Sequence, residues 1–331
     1  MFVRLIFKFY KMKKLLTLFL GLTILSCSSE DQVNQEVSAL ENSGSVLDGK
    51  MLSFKDEELF VKEYSDLAAL NVEELKNWAS SKKIVSLLNS SEDSASMEED
   101  ILSETRIVYS DALKTILNSE SKVKIDGKVL WLNERTFYLL SKNQINKTSE
   151  QLVGEKEVLK VYGSLLSLSG RVENSTARGT IPNENRIKTF VSAEVNVNGS
   201  RLRHVVDLYN ETIVLNGITQ SSKMYIRSTL QYRSCSTWKC TWKEAQNYRE
   251  LRVNCICPIC WNGSSPGAWI MNGNEFLSGF TGTQTVTVAN WNPIAPQDSY
   301  VNFQISGTIS SQLVGVPESA MSVDVSWYWI F

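Results

Sequence analysis

Hydrophobic positions along this chain change their period near residue 120. Upstream, Val72, Leu75, Trp78 and Ala79 recur at helical spacing behind Asn71 and Glu74, the sequence form of a capping box. Ser96 and Glu99 form a second box ahead of Ile101, Leu102, Val108, Tyr109, Ala112, Leu113, Ile116 and Leu117. Those positions predict one amphipathic helix of about five turns. A polar loop, Ser90 to Ser96, separates the two helical stretches. The period then falls to two. Val123-Lys124-Ile125 and Lys128-Val129-Leu130-Trp131 flank Asp126-Gly127, a type I′ hairpin signal. Asn133 to Arg135 turns the chain again into Thr136–Leu140. Residues 53–145 therefore read as a small helical module closed by a β-meander.

Beyond residue 155 the pattern predicts strand after strand: 158–168, 187–197, 201–215, 223–235, 248–257, 283–291, 300–311 and 321–331. Asn198-Gly199 marks another tight hairpin. Trp242–Tyr248 is the one short helical turn expected among them. Many strands with no intervening helices indicate an antiparallel β-sandwich or barrel-like domain over residues 146–331. The fold class expected is α+β, mainly β.

The amino end has a different pattern. Lys11, Lys13 and Lys14 precede an apolar run from Leu15 to Leu25, then Ser26 and Cys27. A basic start, a short apolar run and a small residue make a secretory signal peptide, too short to span a membrane. Met12 is the natural start for it, with residues 1–11 as an upstream extension. Ile24-Leu25-Ser26-Cys27 resembles the lipobox of bacterial lipoproteins. The resemblance implies removal of residues 1–26 and acylation of Cys27. Ser28-Ser29-Glu30-Asp31 resembles the tether that sends lipoproteins of the Bacteroidota to the outer face of the outer membrane. A polar tether over residues 27–52, a lipid-anchored location at the cell surface and the membrane as a partner follow from these resemblances. Asp93-Ser94-Ala95 resembles the O-glycosylation motif of the same bacteria.

Removing the signal changes the charge. The whole chain has 34 basic and 36 acidic residues. Residues 1–26 hold five basic residues and no acid, so 29 basic and 36 acidic remain. Residues 27–150 carry 14 basic and 23 acidic residues, and residues 151–331 carry 15 and 13. The shift supports two modules. Neither is basic enough for a nucleic-acid partner. No later run reaches the roughly 18 apolar residues of a spanning helix.

Cys235, Cys240, Cys255, Cys257 and Cys260 lie close together, with Trp238, Trp242, Trp261, Trp269 and Trp291 in or just after the same segment, 235–269 at its core. Outside the cytoplasm such thiols pair, and five leave one over. Structural zinc on four thiolates is the alternative, the one cofactor the sequence allows. Cys257-Pro258-Ile259-Cys260 is also similar to the active site of glutaredoxins. The residues after it, Trp261 to Gly267, cannot open the helix such a motif needs. Trp269 and Trp291 stand beside Gly-Pro and Asn-Pro loops and are the candidates for stacking on a ligand.

Catalytic motifs are sparse. His204 is the single histidine, and no Gly-x-Ser-x-Gly elbow or phosphate-binding glycine loop accompanies it. Asp207, Glu194 and Glu211 are the carboxylates a glycan hydrolase would draw on. The last strand ends on Phe331, as outer-membrane barrels do, but its irregular neighbours fit a soluble sheet. Residues 283–291 and 300–311 alternate polar positions, a pattern shared with pore-forming hairpins. The expected function is a lipid-anchored, extracytoplasmic binding or structural protein with a glycan or protein ligand. A carboxylate-based glycan hydrolase and a zinc module are the alternatives.

Overall fold

Two long strands, Ser200–Leu215 and Ile218–Cys235, carry the architecture, with one apolar core on each of their two faces. The computed structural model describes residues 44–90, 107–166, 187–256, 260–261, 270–271, 274–291, 295–296 and 301–329. The signal segment, Cys27, the second capping box, Asp93-Ser94-Ala95, Cys257 and Trp269 lie outside them.

Helices come first. After β1 (Val46–Asp48) and β2 (Met51–Phe54) follow α1 (Glu57–Leu67), α2 (Val72–Ser81), α3 (Leu87–Ser90) and α4 (Asp111–Ile116). Among the described residues strand structure thus begins at Val46, inside the stretch expected as tether. The Asn71–Glu74 capping box of α2 is formed, with both reciprocal hydrogen bonds. The five-turn helix is not. Residues 107–110 are non-helical and α4 is short. Ser110 is held extended, because its N–H and hydroxyl both bond Glu211, and the helix starts only after it.

The meander follows as β3 (Lys122–Ile125), β4 (Lys128–Asn133) and β5 (Thr136–Leu140), then α5 (Ser149–Val153) and β6 (Lys160–Leu166). The second half comprises β7 (Ile187–Val191), β8 (Val195–Val197), β9 (Ser200–Leu215), β10 (Ile218–Cys235), β11 (Cys240–Glu244), β12 (Arg249–Ile256), β13 (Cys260–Trp261), β14 (Ile270–Met271), β15 (Asn274–Phe280), β16 (Gln284–Trp291), β17 (Ala295–Pro296), β18 (Val301–Leu313) and β19 (Val316–Trp329). Where a helical turn was expected at 242–248, β11 pairs with β10 from Cys235–Cys240 to Gln231–Glu244. The hairpin pairing overrides the local pattern.

One curled sheet runs β1-β2-β3-β4-β5-β6-β9-β10-β16-β14, with β7 and β8 on β9 and β11 and β17 on β10. It crosses residue 145 without a break, through the β5–β6 and β6–β9 pairs. Gly163 makes that junction. A Cβ there would stand 2.2 Å from the Val214 carbonyl oxygen, so only glycine lets β6 approach β9 this closely. Asp126-Gly127, Asn198-Gly199 and Asn216-Gly217 all have positive φ at both residues, as two-residue I′ turns require. A second sheet orders β13-β18-β12-β15, with β19 on β18.

Three layers of apolar packing result. Phe60, Tyr64 and Leu67 of α1 and Leu113 and Ile116 of α4 cover Phe54, Leu130, Phe137, Ile213 and Leu215 of the first sheet. On the other side of the meander, Trp131 and Tyr138 pack with Leu152 of α5, which is why β4 is buried on both faces. Farther along, Val206, Leu208, Met224 and Ile226 meet Leu251, Val253, Ile305, Ile309 and Trp327 of the second sheet. That contact is the expected sandwich. The chain is α+β and mainly β. All these cores lie within one compact unit, Ser45–Phe331. No helix among the described residues is long and apolar enough to cross a membrane.

Candidate functional site

The face of β9–β10–β16 turned toward the helices is polar. Alternate residues share a face, and the register aligns Lys223 with Glu211, Tyr225 with Tyr209, and Arg227 with Asp207. On the other flank Thr287 lies beside Tyr225 and Thr285 beside Arg227.

Part of this face is roofed. Tyr64 and the Ser110 hydroxyl donate to one oxygen of Glu211 at 2.7 and 2.5 Å, and the Ser110 N–H donates to the other at 2.8 Å. The Tyr64 and Tyr225 hydroxyls are 2.8 Å apart. Burial raises the Glu211 carboxyl above the usual range, against the hydrogen bonds from Ser110 and Tyr64. Burial likewise brings the Lys223 ammonium down to about 8, opposed by Glu211 and Asp66.

The rest of the face is the floor of an open cleft of about 1400 Å³. Ala68 to Val72, between α1 and α2, form one wall and Phe280 to Thr283 another. Asp111 and Lys114 of α4 reach in beside Arg227. Asp111 accepts from Lys114 at 3.0 Å and from Thr285 at 3.1 Å. Burial opposes its ionisation, yet Lys114 and Arg227 hold its carboxyl below the ordinary value. Glu244 lines the same cleft and accepts from Thr283 at 3.0 Å. The Arg227 side chain makes no hydrogen bond to any described residue, and both Asp111 oxygens already have partners.

A second buried cluster shapes the cleft wall from behind. Arg249 is fully buried between the sheets. It donates to the Ser228 hydroxyl and carbonyl at 3.1 and 2.8 Å, to Ser311 at 3.3 Å and to the Gly282 carbonyl at 2.7 Å, and it stacks on Phe280. It therefore ties down the Phe280–Thr283 loop. His204 Nε2 lies 2.7 Å from the Ser228 hydroxyl. Burial, then Arg249, pushes the imidazole down to about 3. It is a neutral core histidine, and the Ser228 hydroxyl beside it is buried with it, away from the cleft lining.

The sequence candidates separate. Cys235 and Cys240 are joined by a disulfide, so neither can be a zinc thiolate. Cys255 is a buried free thiol, pushed up to about 11 by burial. Cys260 sits in β13 and Trp291 ends β16. Glu194 is exposed and pairs with Arg201. Asp207 accepts from Thr189 and is buried, as is Glu211. Four residues apart on one strand, about 13 Å, these two do not form a catalytic pair. The cleft residues Arg227, Asp111, Lys114 and Glu244 were not singled out by sequence. The polar alternation of Thr283, Thr285 and Thr287 was the one signal pointing to them.

No family model matches the chain, and no curated protein matches it. Among solved structures, a DUF4848 family protein from Bacteroides thetaiotaomicron aligns over 86% of this chain and 99% of its own, with 14% identity. The TM-score is 0.20. So slight a likeness identifies neither family nor activity.

Proposed function

We propose that this is a lipid-anchored cell-surface binding protein whose cleft takes a saccharide bearing a carboxylate. The observation that carries the ligand is Arg227, a guanidinium on the cleft floor without a hydrogen-bond partner among the described residues, next to Thr285 and close to Thr283 and Thr287. A guanidinium fork suits a carboxylate, and the Thr283, Thr285 and Thr287 oxygens, whose protons go to Glu244, Asp111 and the Ala68 carbonyl, keep lone pairs that can accept from sugar hydroxyls. The lipobox at Cys27 supports the anchor, and the Cys235–Cys240 disulfide supports an oxidising compartment. Calorimetry with oligogalacturonate and a neutral oligosaccharide of equal length tests the ligand. Arg227→Gln should weaken only the acidic one, by about tenfold to a hundredfold. Equal affinity for both sugars sinks the assignment. Incorporation of an alkyne fatty acid in a bacterial host, abolished by Cys27→Ala, tests the anchor.

One observation favours hydrolysis as a second reading. Asp111 and Glu244 share the cleft, held by Thr285 and Thr283. Those threonines stand two residues apart in the chain, so the two carboxylates are anchored on neighbouring positions of the cleft, and paired carboxylates are what glycosidic-bond hydrolysis uses. Release of reducing ends from an acidic polysaccharide, lost in Glu244→Gln, would establish it.

A further inference from the structure

Trp238 is 95% exposed, the most exposed large apolar side chain among the described residues. It stands at the tip of the β10–β11 hairpin. The tip is braced: Cys235 and Cys240 face each other in the last rung and are bonded. The Ser236 N–H donates to the Lys239 carbonyl at 2.8 Å, and the Lys239 N–H donates to the Ser236 hydroxyl at 3.2 Å. A tip already ordered loses little freedom when it binds. Its charge is one-sided. Arg233, Lys239 and Lys243 lie between Tyr232 and Glu244, with no acid among them, in a chain that is acidic overall.

We infer that this hairpin is a membrane-interface contact that seats Trp238 among the headgroups of an anionic lipid surface. Indole settles at the headgroup level, where its ring is half-buried and its N–H stays wet. Cations beside it are drawn to anionic headgroups. A sugar platform fits less well. It needs polar side chains packed beside the ring, and at 95% exposure the indole has almost no protein against it. The second tryptophan of the hairpin, Trp242, is covered by the Arg203 guanidinium at 4.2 Å. The inference uses no residue of the cleft and does not depend on the saccharide.

The test is co-sedimentation of the unacylated chain from Ser28 onward, which contains every core described, with vesicles. Phosphatidylglycerol–phosphatidylcholine vesicles are compared with pure phosphatidylcholine. The chain should sediment with the anionic vesicles, and its tryptophan emission should shift to the blue. Trp238→Ala should lower partitioning by about tenfold, and Lys239→Gln or Lys243→Gln by about fivefold each, an effect that salt removes. These exposed changes should leave the melting temperature unaltered, and Arg227→Gln should leave vesicle binding unaltered. Equal partitioning of Trp238→Ala and the parent chain overturns the inference. So does failure to sediment with anionic vesicles. If Trp238→Ala instead weakens binding of a soluble polysaccharide and vesicles are ignored, the tip is a sugar contact.

Discussion

The β9–β10 hairpin buries one charged cluster on each face, and the two are built on opposite principles. Toward the helices lies an acid, Glu211, both of whose oxygens accept hydrogen bonds from Tyr64 and Ser110. Toward the second sheet lies a cation, Arg249, whose hydrogen bonds among the described residues go to hydroxyls and carbonyl oxygens and to no carboxylate. Two nitrogens of that cluster, Arg249 Nε and His204 Nδ1, have no partner among the described residues. The acid cluster locks α1 and the approach to α4 onto the sheet. The cation cluster fixes the loop that walls the cleft. Buried charge here is tied to position: each group pins a segment that apolar contact alone would leave free to slide.

The largest difference should appear in acid. His204 is neutral in the folded chain, with its pKa near 3, and titrates at about 6.5 once unfolded. Its contribution is complete above pH 6.5 and is lost as pH falls toward 3, about 5 kcal/mol in all. Denaturant titrations across that range should show a shallower acid loss for His204→Gln than for the parent; parallel curves would place the acid sensitivity elsewhere. Arg249→Ala comes next, at about 4 kcal/mol, because it leaves a cavity and frees the Gly282 carbonyl. It should also weaken ligand binding, since the cleft wall loosens. Glu211→Ala should cost about 3 kcal/mol by stranding the Ser110 N–H and the Tyr64 hydroxyl. Its effect should fall on α4, seen as faster amide exchange there, with the second sheet unaffected. Exchange rising equally in both halves would dissolve the contrast between the clusters. Smallest is the disulfide. Cys235→Ser with Cys240→Ser opens only a short loop, so about 2 kcal/mol or less is expected in chemical denaturation.

Local chemistry was legible in the sequence and long-range chemistry was not. Asn71 with Glu74, Asp126-Gly127 and Asn198-Gly199 each encode their own geometry within four residues, and each forms as expected. Of the helix expected across Ile101 to Leu117, the described residues form only Asp111–Ile116, because Ser110 is claimed by Glu211, a hundred residues away in the chain. The cleft is hidden for the same reason. Asp111 and Thr285 meet only after α4 and β16 are placed on β10, and no periodicity records that meeting. Trp238 stood in plain view as a residue inside a short Cys–Cys loop. Its exposure became visible only when β11 replaced the helical turn expected nearby.

The tight turn at Asn216-Gly217 has a consequence for the order in which the chain acquires structure. It joins the two longest strands with the shortest of loops, so their rungs close at little entropic cost. The two larger apolar cores depend on that ribbon, one through Ile213 and Leu215, the other through Leu208 and Ile226. Helices α1 and α2 leave the ribosome long before it does and have only the strand residues made by then, Phe54, Leu130 and Phe137, to settle on until Ile213 and Leu215 arrive. The amino-terminal half is thus made first and finished late, and its exposed apolar stripe has to be shielded in the interval.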